Sequence, residues 1–156
     1  MKGSAEILTV LNELLANELT AINQYLVQGR LCDHWGYQRL AEKLAEESRE
    51  EHEHANKIIA RILFLEGVPD MQRYHPVVAG TTVRQAFEAD LELEKAAVTA
   101  LNQGITLARA LGDNASEDLM TGILVAEEEG IDWLESQLGL IEMIGESNYL
   151  SQQLRS

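Results

Sequence analysis

Cysteine is almost absent. Cys32 is the only thiol in 156 residues, so no internal disulfide can staple the chain, and a reducing compartment suits it. Proline is nearly as scarce: Pro69 and Pro76 fall in one short region, leaving long stretches free of the residue that breaks helices. Bases number 12 against 26 acids, a formal net charge of −14. That balance disfavours nucleic acid and anionic membrane as partners and favours cations. No apolar run approaches the ~20 residues needed to cross a bilayer. The start, Met1-Lys2-Gly3-Ser4, carries no apolar signal segment. The expectation is a cytoplasmic protein with one domain, residues 1–156, long enough for a good core.

What is present is helical periodicity. Residues 4 to about 35 carry the stripe Ile7, Leu11, Leu14, Leu15, Ile22, Tyr25, Leu26, with Ser4 placed to cap the start. A second helix, 38–66, carries Leu40, Leu44, Ile58, Ile62, Leu65 and ends at Gly67 and Pro69. A third, 83–111, carries Phe87, Leu91, Val98, Leu101, Ile105, Ala108, with Thr82 and Gln85 as a capping box. A fourth, 115–144, carries Met120, Ile123, Leu124, Ile131, Leu134, Leu138, Ile141. A short fifth helix follows Gly145. Four long helices of similar length predict an all-α four-helix bundle. The turns after helices one and three are short, so those pairs run antiparallel. The sixteen residues from Gly67 to Thr82 reach at most ~55 Å, more than the ~42 Å of a 28-residue helix. They form a crossover that lets helix three lie parallel to helix two.

Each stripe is interrupted by acid. Glu18 interrupts the first, Glu47, Glu51 and His54 the second, Glu94 the third and Glu127 the fourth. Unpaired buried carboxylates cost several kcal/mol, so a chain that repeats them at one level on four helices is built to hold cations. Glu51 and His54, three apart, project from one face. Four carboxylates and an imidazole (Glu18, Glu51, His54, Glu94, Glu127) suit a pair of divalent first-row ions. Glu47 reads more simply as a hydrogen-bonding or inner-surface acid, Tyr25 as core, Cys32 as buried packing, and His52 as a surface or interface residue.

The motifs Met1-Lys2-Gly3, Asn23-Gln24-Tyr25, Ile62-Leu63-Phe64-Leu65-Glu66-Gly67, Asp132-Trp133-Leu134-Glu135 and Asn148-Tyr149-Leu150 resemble bacterioferritins over nearly the whole chain. The resemblance implies a hollow shell of 24 subunits that oxidises Fe(II) with oxygen or peroxide and stores a ferric mineral. It implies a di-iron centre ligated by Glu18, Glu51, His54, Glu94 and Glu127, with Glu51 and Glu127 bridging and Tyr25 beside it as an electron donor. It also implies haem b shared by two subunits through methionines, and a pore bordered by His34, Glu66, Asp132 and Asn148, residues that otherwise read as solvated helix ends.

Two positions depart from the family pattern. Position 52 is His52, so a methionine-ligated haem is not expected, and only a bis-histidine haem through two His52 side chains would be open. In Glu127-Glu128-Glu129-Gly130 a glycine stands where the resemblance expects a histidine, which weakens the second iron site. The chain therefore reads as a ferroxidase and iron store attenuated at Gly130. The alternatives are a degenerate subunit of a mixed shell beside a second bacterioferritin chain, or a di-iron or di-manganese oxidoreductase that stores nothing.

Overall fold

The structure is a computed structural model and describes residues 1–155. It is all-helical among those residues: α1 (Ala5–Trp35), α2 (Gln38–Phe64), α3 (Val83–Ala110), α4 (Asn114–Ile144) and the short α5 (Glu146–Ser151). The caps follow the sequence closely. Ser4 Oγ accepts from the Ile7 amide at 3.1 Å, and Gly36, at φ 90°, closes α1 in the left-handed conformation that glycine adopts without strain. The capping box before α3 is only half formed. Thr82 Oγ1 accepts from the Gln85 amide at 3.1 Å, but Gln85 Oε1 reaches back to the Thr81 amide at 3.0 Å. The end of α2 also differs from expectation: the left-handed residue is Glu66, at φ 63°. Gly67 serves instead for space, because a Cβ there would collide with Leu8.

Helices α1 and α2 pack as one antiparallel pair, α3 and α4 as the other, and α1 joins the pairs through α3. Paired residues fix the directions. Gln24 meets Asp90, and Gln28 meets Ala86, so α1 and α3 run antiparallel and α3 lies parallel to α2. The apolar core forms two bodies. One gathers Leu11, Leu15, Ile58, Ile62, Leu101 and Met120. The other gathers Leu40, Leu44, Phe87, Leu134, Ile141 and Tyr149. Leu26, counted in the α1 stripe by periodicity, is 55% exposed. The stripe rotates as it climbs α1, and in this turn Gln28 takes the inward place.

The crossover is fastened by a polar ladder on α1. Thr20 Oγ1 accepts from the His75 amide at 2.9 Å, Gln24 Oε1 from the Val78 amide at 3.1 Å, and Gln28 Nε2 donates to the Val78 carbonyl at 3.0 Å. The three side chains are buried at four-residue spacing, one per turn. An extended segment has no ladder of its own, so its peptide groups need such partners.

Candidate metal centre

Three of the four long helices, α1, α2 and α4, bring side chains from their interrupted stripes together. Glu18, Glu51, His54 and Glu127 are buried, and each offers a ligand atom, all within 4.8 Å of one another. His54 Nδ1 lies 3.2 Å from Glu127 Oε1, 3.7 Å from Glu18 Oε2 and 3.8 Å from Glu51 Oε1. Glu18 Oε2, His54 Nδ1 and Glu127 Oε1 have no hydrogen-bond partner. Buried polar atoms normally find one, so three orphans aimed at a common point mark a place for a cation. Three carboxylates and an imidazole fit a divalent first-row metal.

Glu94 stands apart from this group of four. Its Oε1 accepts from the Tyr25 hydroxyl at 2.6 Å, while its Oε2 is buried without a partner. It faces Gly130: a Cβ added there would lie 3.9 Å from Glu94 Oε2, an ordinary contact. A side chain at position 130 would therefore be aimed at Glu94, and the glycine supplies none. Position 130 therefore adds no ligand from α4 beside Glu94.

The electrostatics record the crowding. Burial raises the Glu51 carboxyl well above its usual range, and Glu18 and Glu127 raise it further. Burial likewise pushes Glu127 up to about 7, although His54 pulls it down. For His54, burial acts to lower the value, but Glu127 and Glu18 outweigh it and hold the imidazole at about 10. The unligated site is thus a cluster of carboxyls sharing one imidazolium. Tyr25 is raised well above its ordinary value by burial and then by Asp90, so it stays a neutral donor to Glu94.

A cavity of about 10 Å3 borders Glu18, Glu51, Glu94 and Glu127 and lies between Asn17 and Ala21 of α1 and Leu93 and Ala97 of α3. That is room for roughly one water-sized particle. The larger hollow of about 530 Å3, between the chain start, the end of α2 and the α3–α4 turn, holds none of the expected ligands.

The sequence model of the Ferritin-like domain family matches residues 8–144. Bacterioferritin of Streptomyces coelicolor is 46% identical over 151 residues, covering 97% of this chain and 90% of that protein. Bacterioferritin of Mycobacterium leprae is 43% identical over 152 residues, 97% of this chain and 96% of that protein. The chain belongs to the bacterioferritin family. Bacterioferritin of Brucella melitensis is similar too, at 44% identity over 149 residues, 96% of this chain and 92% of its own. Membership supports iron storage, and the four-donor cluster could hold a metal ion.

Other residues expected to matter fall outside the centre. Glu47 is half-buried and bound to Lys43 Nζ at 2.8 Å, as an accessory acid would be. His52 is exposed on α2. The groove one turn away, about 330 Å3 and lined by Leu26, Gly29, Ala41, Ala45, Ser48 and Arg49 among others, does not include it. His34, Glu66, Asp132 and Asn148 are exposed, the first two at the ends of α1 and α2, Asp132 within α4 and Asn148 in the short α5. Two features escaped the sequence reading: Asp90, wholly buried and bound by Gln24 at 2.8 Å, and Ser48, whose hydroxyl donates to the Ile22 carbonyl at 2.9 Å. The run Thr20, Gln24, Gln28 at four-residue spacing was the available signal for the first.

Proposed function

We propose that this chain oxidises Fe(II) and stores the ferric product as a subunit of a hollow shell, with 24 subunits as in the family resemblance. The observation that carries the reading is the cluster of Glu18, Glu51, His54 and Glu127, four buried ligand atoms within 4.8 Å. In this reading those residues take the first ion. Glu51, Glu94 and Glu127 take the second, with Glu51 and Glu127 shared. Hard carboxylate oxygens favour the ferric over the ferrous ion, which drives electron loss. Two Fe(II) give one electron each, and dioxygen accepting two electrons and two protons leaves as hydrogen peroxide; peroxide can serve as oxidant in its turn. When only one Fe(II) is bound, Tyr25 would supply the second electron that dioxygen needs, its proton passing to Glu94. The second ion is held more weakly, because Gly130 adds no ligand, so it passes through rather than staying.

One observation favours a second reading, a degenerate subunit working beside a complete partner chain in a mixed shell. Glu94 is outside the four-donor cluster and faces a glycine. Stopped-flow oxidation separates the two. A purified homomer that oxidises Fe(II), more slowly than its Gly130→His variant, supports the attenuated ferroxidase. Equal rates would remove the attenuation, and no oxidation by the homomer would favour the mixed shell. Electron microscopy of the purified protein tests the shell itself, and a non-hollow particle would leave a di-iron oxidoreductase that stores nothing.

A further inference from the structure

Asp90 is wholly buried and contributes nothing to the four-donor cluster. Gln24 Nε2 donates to Asp90 Oδ1 at 2.8 Å, and Gln24 Oε1 accepts from the Val78 amide at 3.1 Å. Gln28 Nε2 donates to the carbonyls of Val78 at 3.0 Å and Ala86 at 3.4 Å. Backbone groups thus fix which end of each amide is nitrogen and which is oxygen. Two buried atoms are left over, Asp90 Oδ2 and Gln28 Oε1, neither with a partner. The bond to Ala86, one turn before Asp90 on α3, sets the Gln28 amide on the same stretch of that helix. If Asp90 is ionised, both orphans are acceptors and both stay unsatisfied, a costly arrangement in a dry place. One proton on Asp90 turns one acceptor into a donor and satisfies both.

We infer that Asp90 is carried as the neutral acid and donates its proton to Gln28 Oε1, closing a clasp that binds the crossover at Val78 to α1 and α3. The inference does not depend on iron binding. Burial pushes the carboxyl up to about 7 against the Gln24 hydrogen bond, and Glu47 adds to the rise. The ionisable groups around it are Tyr25 and Cys32 of α1, Glu47 of α2, and Glu94 four residues further along α3. None of them is a cation, and the nearest base, Lys43, is taken by Glu47. Tyr25 and Cys32 are themselves held neutral by burial, the thiol at about 12. The Gln24–Asp90 bond is next to the Tyr25–Glu94 bond along the same α1–α3 seam. Asp90 is therefore a positioning residue: its clasp sets the axial register at which the Tyr25 hydroxyl reaches Glu94.

Hydrogen-exchange mass spectrometry of the assembled protein, read on the peptide containing the Val78 amide at pH 6 and pH 8, tests this. Releasing Val78 admits water to Asp90. An acid that ionises near pH 7 when closed, and near its ordinary value when open, makes opening about tenfold easier at pH 8 than at pH 6. After correction for intrinsic exchange, wild-type protection at Val78 falls about tenfold over that interval. Asp90→Asn, whose amide mimics the protonated acid, keeps the wild-type pH 6 protection at both values. Wild-type protection that is equal at the two pH values overturns the inference. So does an Asp90→Asn protein that has lost protection at pH 6, since the charged carboxylate would then be the group both glutamines need. If Asp90→Asn does not assemble, the wild-type pair of measurements decides alone.

Discussion

At Glu127 the demands of folding and of binding oppose each other. Its carboxyl is buried beside two others, and His54 compensates for only part of the crowding. Glu127→Gln is therefore expected to raise the melting temperature of the metal-free protein at pH 8, because a buried charge is removed while shape is kept. The same variant loses a ligand. Even residues behind a metal ligand cost 10–100-fold when changed, so the initial rate of Fe(II) oxidation should fall by about 100-fold or more. Calorimetry of the apo protein and stopped-flow kinetics check the two halves separately. Tyr25→Phe acts differently. It leaves Glu94 Oε1 without its 2.6 Å donor, an orphan worth roughly 1–3 kcal/mol, and should lower apo stability in a denaturant titration.

At the scale of elements, helices and acids were legible and the crossover contacts were not. The interrupted stripes located Glu18, Glu51, His54, Glu94 and Glu127, because a 3.6-residue period states which face is buried and a buried acid stands out on it. Leu26 misled for the same reason: period alone does not follow a stripe that drifts around a 31-residue helix. Thr20, Gln24 and Gln28 read as ordinary polar residues, since nothing in α1 announces that an extended segment 50 or more residues away needs their hydrogen bonds. The half-formed capping box fails on similar grounds, as Thr81 and Thr82 offer Gln85 near-equal targets. Gly130 is the testable element-scale weakness. A glycine in mid-helix costs about 1 kcal/mol relative to alanine, and a Cβ there meets nothing closer than 3.8 Å. Gly130→Ala should stabilise the apo protein by up to about 1 kcal/mol in chemical denaturation while leaving metal binding unchanged. Gly130→His should tighten the second ion, seen as a second tight phase in Co(II) titration.

For the whole molecule, net charge and the shared protons of the centre act in the same direction. A chain at −14 draws Fe(II) towards it and repels its own fold as pH rises. In the metal-free protein the protons of the centre make stability depend on pH. Glu127 is raised to about 7, so folding favours its neutral form and stability falls as pH climbs from the ordinary carboxylate range through about 7. His54 is raised to about 10, so its contribution is complete below the usual imidazole value and is lost as pH climbs towards 10. Both groups must give up protons to ligate a metal. Metal affinity should therefore rise with pH, by about tenfold per unit for each proton displaced. At pH 7, Co(II) binding should release at least one proton per subunit, measurable with a pH indicator in weak buffer; binding without proton release would contradict the protonated cluster. The local features act together: the crossover makes α2 and α3 parallel, and the bundle brings Glu18, Glu51, His54 and Glu127 within reach of one ion.

The most direct measurement loads the protein anaerobically with increasing Fe(II), mixes it with oxygen, and follows the near-ultraviolet ferric absorbance. A fast phase that grows with loading and saturates at about two irons per subunit is the result expected of a working centre in which Gly130 weakens the second ion without abolishing it. Saturation at one iron, or no fast phase at all, would contradict a competent ferroxidase in this chain and point to a partner subunit that completes it.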